Sequence, residues 1–319
     1  MRHRIRLLAS LVLIAGYGIA AAANCTVTKV ADTKEGVCDA DCSDAAVDAG
    51  ASEGSTDFIF GNGFDWHACT LASGGALYSI PAASHYDESQ ASNLTGAGNG
   101  DYLSEDGWWF RVAGDPFESF FPTPTTTSCA GAAGRISWSD VDARGLFSAV
   151  NTLAISSAAT NAAQLVLTMS VTNLSTTTPL VISLFHGADL DVNGTGGGDS
   201  ATRWVTLDGT YWIEIRDATA GAAIYSASPP ASAFLVRPYG TTTDVFGELF
   251  NTTITNFDST GLPADSIDFT GGYQWNLTIP AGATHSVSVG LYPRGALSSP
   301  ICVKTGSEQR TFRNAGHCR

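Results

Sequence analysis

Between Leu165 and Thr172 the chain alternates strictly in its outward character. Leu165, Leu167, Met169 and Val171 fall on one face, and Thr168, Ser170 and Thr172 on the other. A period of two over this length predicts a half-buried β-strand. The turn-rich stretch from Asn173 to Pro179 follows, then a more uniformly apolar strand from Leu180 to Phe185. These two strands are expected to form a hairpin-like pair. Asp208-Gly209 is a tight-turn signal between Trp204–Leu207 and Thr210–Arg216, where Tyr211, Ile213 and Ile215 alternate with Trp212, Glu214 and Arg216. Later, Tyr273, Trp275, Leu277 and Ile279 share a face opposite Gln274, Asn276 and Thr278; Pro280-Ala281-Gly282 turns the chain, and Val287, Val289 and Leu291 return it. Short strands with hairpin connections predict an all-β protein, an antiparallel β-sandwich. The 34 glycines and the scarcity of Lys and Glu argue against a helical fold.

The ends of the chain add a compartment. Arg2, Arg4 and Arg6 precede an apolar run from Leu7 to Ala15, and Ala20–Ala23 offers a small-residue cleavage site before Asn24. That is the pattern of a secretory signal peptide over residues 1–23, too short in its apolar part for a spanning helix. A retained anchor is the competing reading. The expected organisation beyond it is a cysteine-rich segment at 24–50, a β-sandwich at 51–293 opening on the linker Ala51–Thr56, and a C-terminal tail at 294–319. The expected location is secreted, periplasmic or on the outer cell surface, with no membrane span in the mature chain.

Export changes the meaning of the seven cysteines, because an oxidising compartment favours bridges. Cys38–Cys42, Cys69–Cys129 and Cys302–Cys318 are one plausible pairing, the last closing the tail; spacing alone does not fix connectivity. Cys25 remains unassigned, with lipid attachment as one alternative. The formal net charge of −14 becomes more negative once the three leader arginines are removed. An acidic surface repels phosphate backbones, so nucleic acid is excluded as a partner class, whereas cations are attracted.

Val27-Thr28-Lys29, Ala31-Asp32-Thr33 and Gly36-Val37-Cys38-Asp39-Ala40-Asp41-Cys42-Ser43 resemble the N-terminal motif of CSLREA-type exported bacterial proteins. The resemblance covers about residues 25–43 and ends where Asp44-Ala45-Ala46-Val47 replaces the Leu-Arg-Glu-Ala step. It implies export and a cell-surface context, and no catalysis. The remainder resembles secreted β-sandwich proteins in general.

The sharpest chemical motif is Asp189-Leu-Asp191-Val-Asn193-Gly194-Thr195, followed by three glycines and Asp199. Oxygen side chains at alternate positions before a glycine match the opening of a calcium loop, with Asp189, Asp191 and Asn193 as ligands, Thr195 giving a carbonyl and Asp199 closing the site. The twelfth position is Ser200 rather than Glu, and ordinary turn chemistry is the alternative. Trp109 and Trp212 flank or alternate with polar residues and are the candidates for stacking on a glycan; Trp275 and Tyr211 read as core. Glu105, Asp106, Asp115, Glu118, Asp140 and Asp142 supply carboxylates around Trp108 and Trp138, the raw material of a glycoside hydrolase if two of them face each other across a cleft. The histidines show no zinc-protease spacing, and no phosphate-binding glycine loop ends in Lys. Two classes of function follow: a structural or binding protein of the cell surface, calcium-stabilised and with a glycan or a surface protein as partner; or a secreted glycan-active hydrolase using a carboxylate pair.

Overall fold

The computed structural model describes residues 67–73, 76–81, 94–96, 99–159, 162–194, 196–206, 211–217, 221–240, 242–294 and 312–313. The expected signal peptide, the cysteine-rich segment with its family resemblance, and Cys25, Cys38, Cys42, Cys302 and Cys318 lie outside the described residues. So does the predicted Asp208-Gly209 turn.

In chain order, β1 (His67–Ser73), β2 (Ala76–Pro81), β3 (Leu94–Gly96) and β4 (Asn99–Asp101) form a small antiparallel sheet. Then come β5 (Glu105–Val112), β6 (Ser119–Phe120), β7 (Thr126–Ala130), β8 (Ala133–Trp138), β9 (Phe147–Ala159), β10 (Ala162–Asn173) and β11 (Leu180–Asp189). The chain continues through β12 (Asp199–Thr206), β13 (Tyr211–Asp217), β14 (Gly221–Ser228), β15 (Ala233–Pro238) and one short helix, α1 (Val245–Phe250). It closes with β16 (Ala264–Ile267), β17 (Phe269–Ile279), β18 (Thr284–Arg294) and β19 (Phe312–Arg313).

Two large sheets carry the architecture. One runs β16-β12-β13-β14-β18-β10-β9-β8-β7, with β19 beside β12; the other runs β15-β17-β11-β5-β6. Their facing sides make the main core. Leu165, Leu167, Met169 and Val171 of β10 and Val287, Val289 and Leu291 of β18 are buried from the first sheet, against Ile182, Leu184, Trp108 and Trp275 from the second. The predicted alternation holds: Thr168, Ser170 and Thr172 turn outward, where their hydroxyls bond Ser288, Ser286 and Thr284 at 2.7–2.8 Å. The chain is an antiparallel β-sandwich.

The expected hairpin between Leu165–Thr172 and Leu180–Phe185 does not form. β10 pairs with β9 and β18, whereas β11 pairs with β5 and β17, so residues 174–179 carry the chain from one sheet to the other. The turn at Pro280–Gly282 makes the same crossing in reverse, from β17 to β18. The two crossings lie side by side: Asn173 donates its side-chain amide to the carbonyls of Thr178, Ile279 and Pro280, at 2.9, 3.0 and 3.2 Å. Local alternation and turn residues are identical for a hairpin and for such an arch; partner strands decide between them.

The five-stranded sheet is covered on both sides toward the C-terminal end of β11, while Val181 near its start stays exposed. Its outer face holds Trp109, Phe185, Ala233 and Leu235 under Val245, Phe246 and Leu249 of α1 and Phe257 of the following loop. That second layer explains the uniformly apolar sequence of β11, since a strand buried on both faces has no polar side. It also places Gln274 inside, where its side-chain carbonyl accepts from the Phe257 amide at 2.7 Å.

Candidate metal centre

β11 ends at Asp189, where its pairing with β17 on one side and β5 on the other sets Asp189 across from Thr270 and Glu105. The Leu190 amide still donates to the Phe269 carbonyl at 3.3 Å, so the chain leaves the sheet directly beside the start of β17. Asp191 follows, and a 3-10 turn over Val192–Gly194 is closed by the Gly194 amide on the Asp191 carbonyl at 3.1 Å. The loop then returns as β12, whose first residue, Asp199, pairs with Ile267 of β16. Asp268 is the single residue between β16 and β17. Two sheets therefore deliver Asp189, Asp191, Asp199 and Asp268 to one corner of the sandwich.

Carboxylate oxygens of Asp189, Asp191 and Asp268 all lie within 4.8 Å of one another. Asp189 is buried and the other two are half-buried. At such a separation each pair of charges repels by about 3–4 kcal/mol at an effective dielectric constant of about 20. No Lys, Arg or His among the described residues forms an ion pair with any of the four aspartates. Oδ1 of Asp189, Oδ1 of Asp268 and both carboxylate oxygens of Asp199 are buried without a hydrogen-bond partner. Orphaned buried carboxylate oxygens are rare, because desolvation without a partner costs several kcal/mol.

The protonation equilibria show the same strain. Burial, reinforced by Asp191, Asp268, Glu105 and Asp244, pushes the Asp189 carboxyl up to about 9. Burial and then Asp217, Asp191 and Asp268 bring Asp199 to about 7. Asp191 is raised by burial and by Asp268, and Asp268 by burial. At about 9 the Asp189 carboxyl holds its proton at neutral pH unless a cation replaces it. The donors are all oxygen, the preference of a hard divalent ion. Oxygens that share one divalent ion stand at most about 5 Å apart, a limit the triad meets. Gly196 shapes the mouth: a Cβ there stands 3.5 Å from both Asp191 Oδ1 and Asp268 Oδ2.

Of the five residues expected in a calcium loop, the structure joins Asp189 and Asp191. Asp199 is buried beside them but outside the 4.8 Å triad, while the Asn193 side chain and Thr195 lie outside the described residues. Asp268, some 77 positions beyond Asp191, was not legible; no local pattern marks it, and only the register of β11 against β17 brings it in.

The other candidate sites fare differently. Trp109 and Trp212, expected to be exposed for glycan stacking, are 0% and 8% exposed. Trp109 lies on the face of its sheet that α1 covers, with Phe246 and Phe250 against the indole. Trp212 lies between Trp204 and Ser226 of its two neighbouring strands. Neither ring offers a stacking platform. Of the carboxylates proposed for hydrolysis, Glu105 is buried opposite Asp189 and the other five are tied into local structure. Asp115 and Asp142 both hold Arg144, Asp140 accepts from the Gly145 amide, Asp106 faces His186, and Glu118 clasps Arg111 and the Thr255 amide. Cys129, on β7, is disulfide-bonded. The other cysteines, Cys69 included, lie outside the described side chains, so the expected Cys69–Cys129 pairing is not decided here.

No family model and no curated protein matches the chain. Among solved structures, a polysaccharide lyase matches with 10% identity and a TM-score of 0.40, covering 71% of this chain and 34% of its own. A protein from the human microbiome assigned as a kojibiose phosphorylase matches with 6% identity and a TM-score of 0.36, covering 70% of this chain and 29% of its own. The chain thus spans about a third of the length of these two. Among the described residues no helix is long and apolar enough to cross a membrane.

Proposed function

We propose that this is an exported β-sandwich protein of structural or binding role whose fold is locked by calcium at Asp189, Asp191 and Asp268. The observation that carries the reading is the triad itself: three carboxylates within 4.8 Å, two of them with orphaned buried oxygens and none with a basic partner. A cation there joins the end of β11 and its following loop to the β16–β17 junction, two segments otherwise held at this corner by backbone bonds. The leader-like N-terminus and the cysteine content support export, where millimolar calcium suits a site of modest affinity. A structural role fits the tying-up of Asp106, Asp115, Glu118, Asp140 and Asp142 in local bonds.

The test is thermal unfolding of the mature chain with calcium chloride or with chelator. The melting temperature is expected to rise with calcium and fall with chelator. Replacing Asp189 and Asp191 together by Ala is expected to abolish the response, and Asp268→Asn to weaken it strongly. A wild-type melting curve indifferent to both additions ends the reading.

A further inference from the structure

β7 is the last strand of the large sheet, and Thr126, Thr127, Ser128 and Ala130 along it are exposed. Cys129 is its one half-buried residue; it packs against the main core and is disulfide-bonded. A disulfide partner must bring its Cα to about 4.4–6.8 Å. Among the elements of the described fold, β1 is the one other strand that carries a cysteine, Cys69.

β1 lies alongside β7, with Cα atoms of the two strands within 8 Å of each other. Its pairing with β2 runs unbroken from Cys69 to Ser73, so Cys69 and Leu71 occupy the same face of the strand. Leu71 is 0% exposed and belongs to the main core. The face of β1 that carries Cys69 is therefore the face laid on the sandwich, at the edge where Cys129 turns inward.

We infer that Cys69 is the partner of Cys129. The bond forms when each thiol gives up one proton and one electron to a disulfide oxidant of the export compartment, which leaves as a dithiol. It closes the loop of residues 69–129 and fastens the small sheet β1-β2-β3-β4 beside the terminal strand of the large one. The calcium reading above concerns the opposite end of that sheet, at β16 and β12, so the two fastenings are independent.

Peptide mapping of the unreduced mature chain tests the pairing. Cleavage after Lys, Arg and Glu separates Cys69, in residues 54–88, from Cys129, in residues 119–135, and from every other cysteine. A species joining 54–88 to 119–135, which falls apart on reduction, is expected. Residues 119–135 joined to another cysteine peptide, or recovered with a free thiol, overturn the pairing. Cys69→Ser, Cys129→Ser and the double variant are each expected to melt on the order of 10 °C lower than the wild type, with their response to calcium kept. A double variant clearly less stable than either single one speaks against a shared bond. If the variants do not fold, the wild-type map decides alone.

Discussion

Nδ1 of His186 stands 2.7 Å from the hydroxyl oxygen of Tyr225, fully buried between the two sheets. His186 belongs to β11 and Tyr225 to β14, so this is a polar clasp across the core. The hydroxyl also lies 3.0 Å from the His186 carbonyl, and Tyr273 donates to the Tyr225 carbonyl at 2.8 Å. Removing the hydroxyl strands the buried Nδ1 of His186. Tyr225→Phe is expected to lower stability by about 2–3 kcal/mol, whereas a typical hydrogen bond is worth about 1 kcal/mol net. Urea unfolding monitored by tryptophan fluorescence measures it; a loss below the ordinary hydrogen-bond value argues that the clasp is not selective for the hydroxyl.

The same histidine makes stability depend on pH. Burial holds the His186 imidazole below its ordinary range, although Asp106, with Oδ2 3.5 Å from Nε2, pulls the other way. The unfolded chain therefore binds a proton near pH 6.5 that the folded chain refuses. Stability is full above that value and falls as pH drops below it, with a slope of up to about 1.4 kcal/mol per pH unit. Unfolding in saturating calcium at pH 5 to 8 reads the slope. His186→Gln is expected to flatten it, and an equal slope in wild type and variant excludes His186 as its source.

The calcium proposal gives Asp189 opposite expected effects with and without metal. In the metal-free protein it is buried among like charges, its carboxyl pushed up to about 9. Asp189→Asn is expected to raise metal-free stability at neutral pH, by on the order of 2 kcal/mol. The same change removes a ligand, so the variant is less stable than the wild type in saturating calcium. Paired melts in chelator and in calcium display the crossing. A variant less stable under both conditions would show that Asp189 supports the fold in some other way.

Asn173 ties the two inter-sheet crossings together. Its amide serves three carbonyls, and its own carbonyl accepts from the Ser175 amide at 2.9 Å. Asn173→Ala removes all three amide contacts that join the crossings, one of them to the buried Ile279 carbonyl, and a loss of about 2–3 kcal/mol is expected. Ser175→Ala, whose hydroxyl caps exposed turn amides, is expected to cost under about 1 kcal/mol. Similar losses in the two variants would contradict the special role of Asn173.

Alternating hydrophobicity by itself determined the strands of β10, β13, β17 and β18, the core-facing sides of β10 and β18, and the sandwich class, because side-chain direction in a strand is a local property with a period of two. The pair Asp189 and Asp191 was legible for the same reason: two acids and a glycine within one turn declare a turn, and a site, without reference to the rest of the chain. Only the tertiary structure decided that β10 and β11 belong to different sheets, that α1 buries Trp109, and that Asp268 completes the acidic corner. Each of these depends on which distant strand lies alongside. Pairing between strands is made by backbone groups that every residue carries alike, so the sequence records the faces of the strands far more clearly than it records their neighbours.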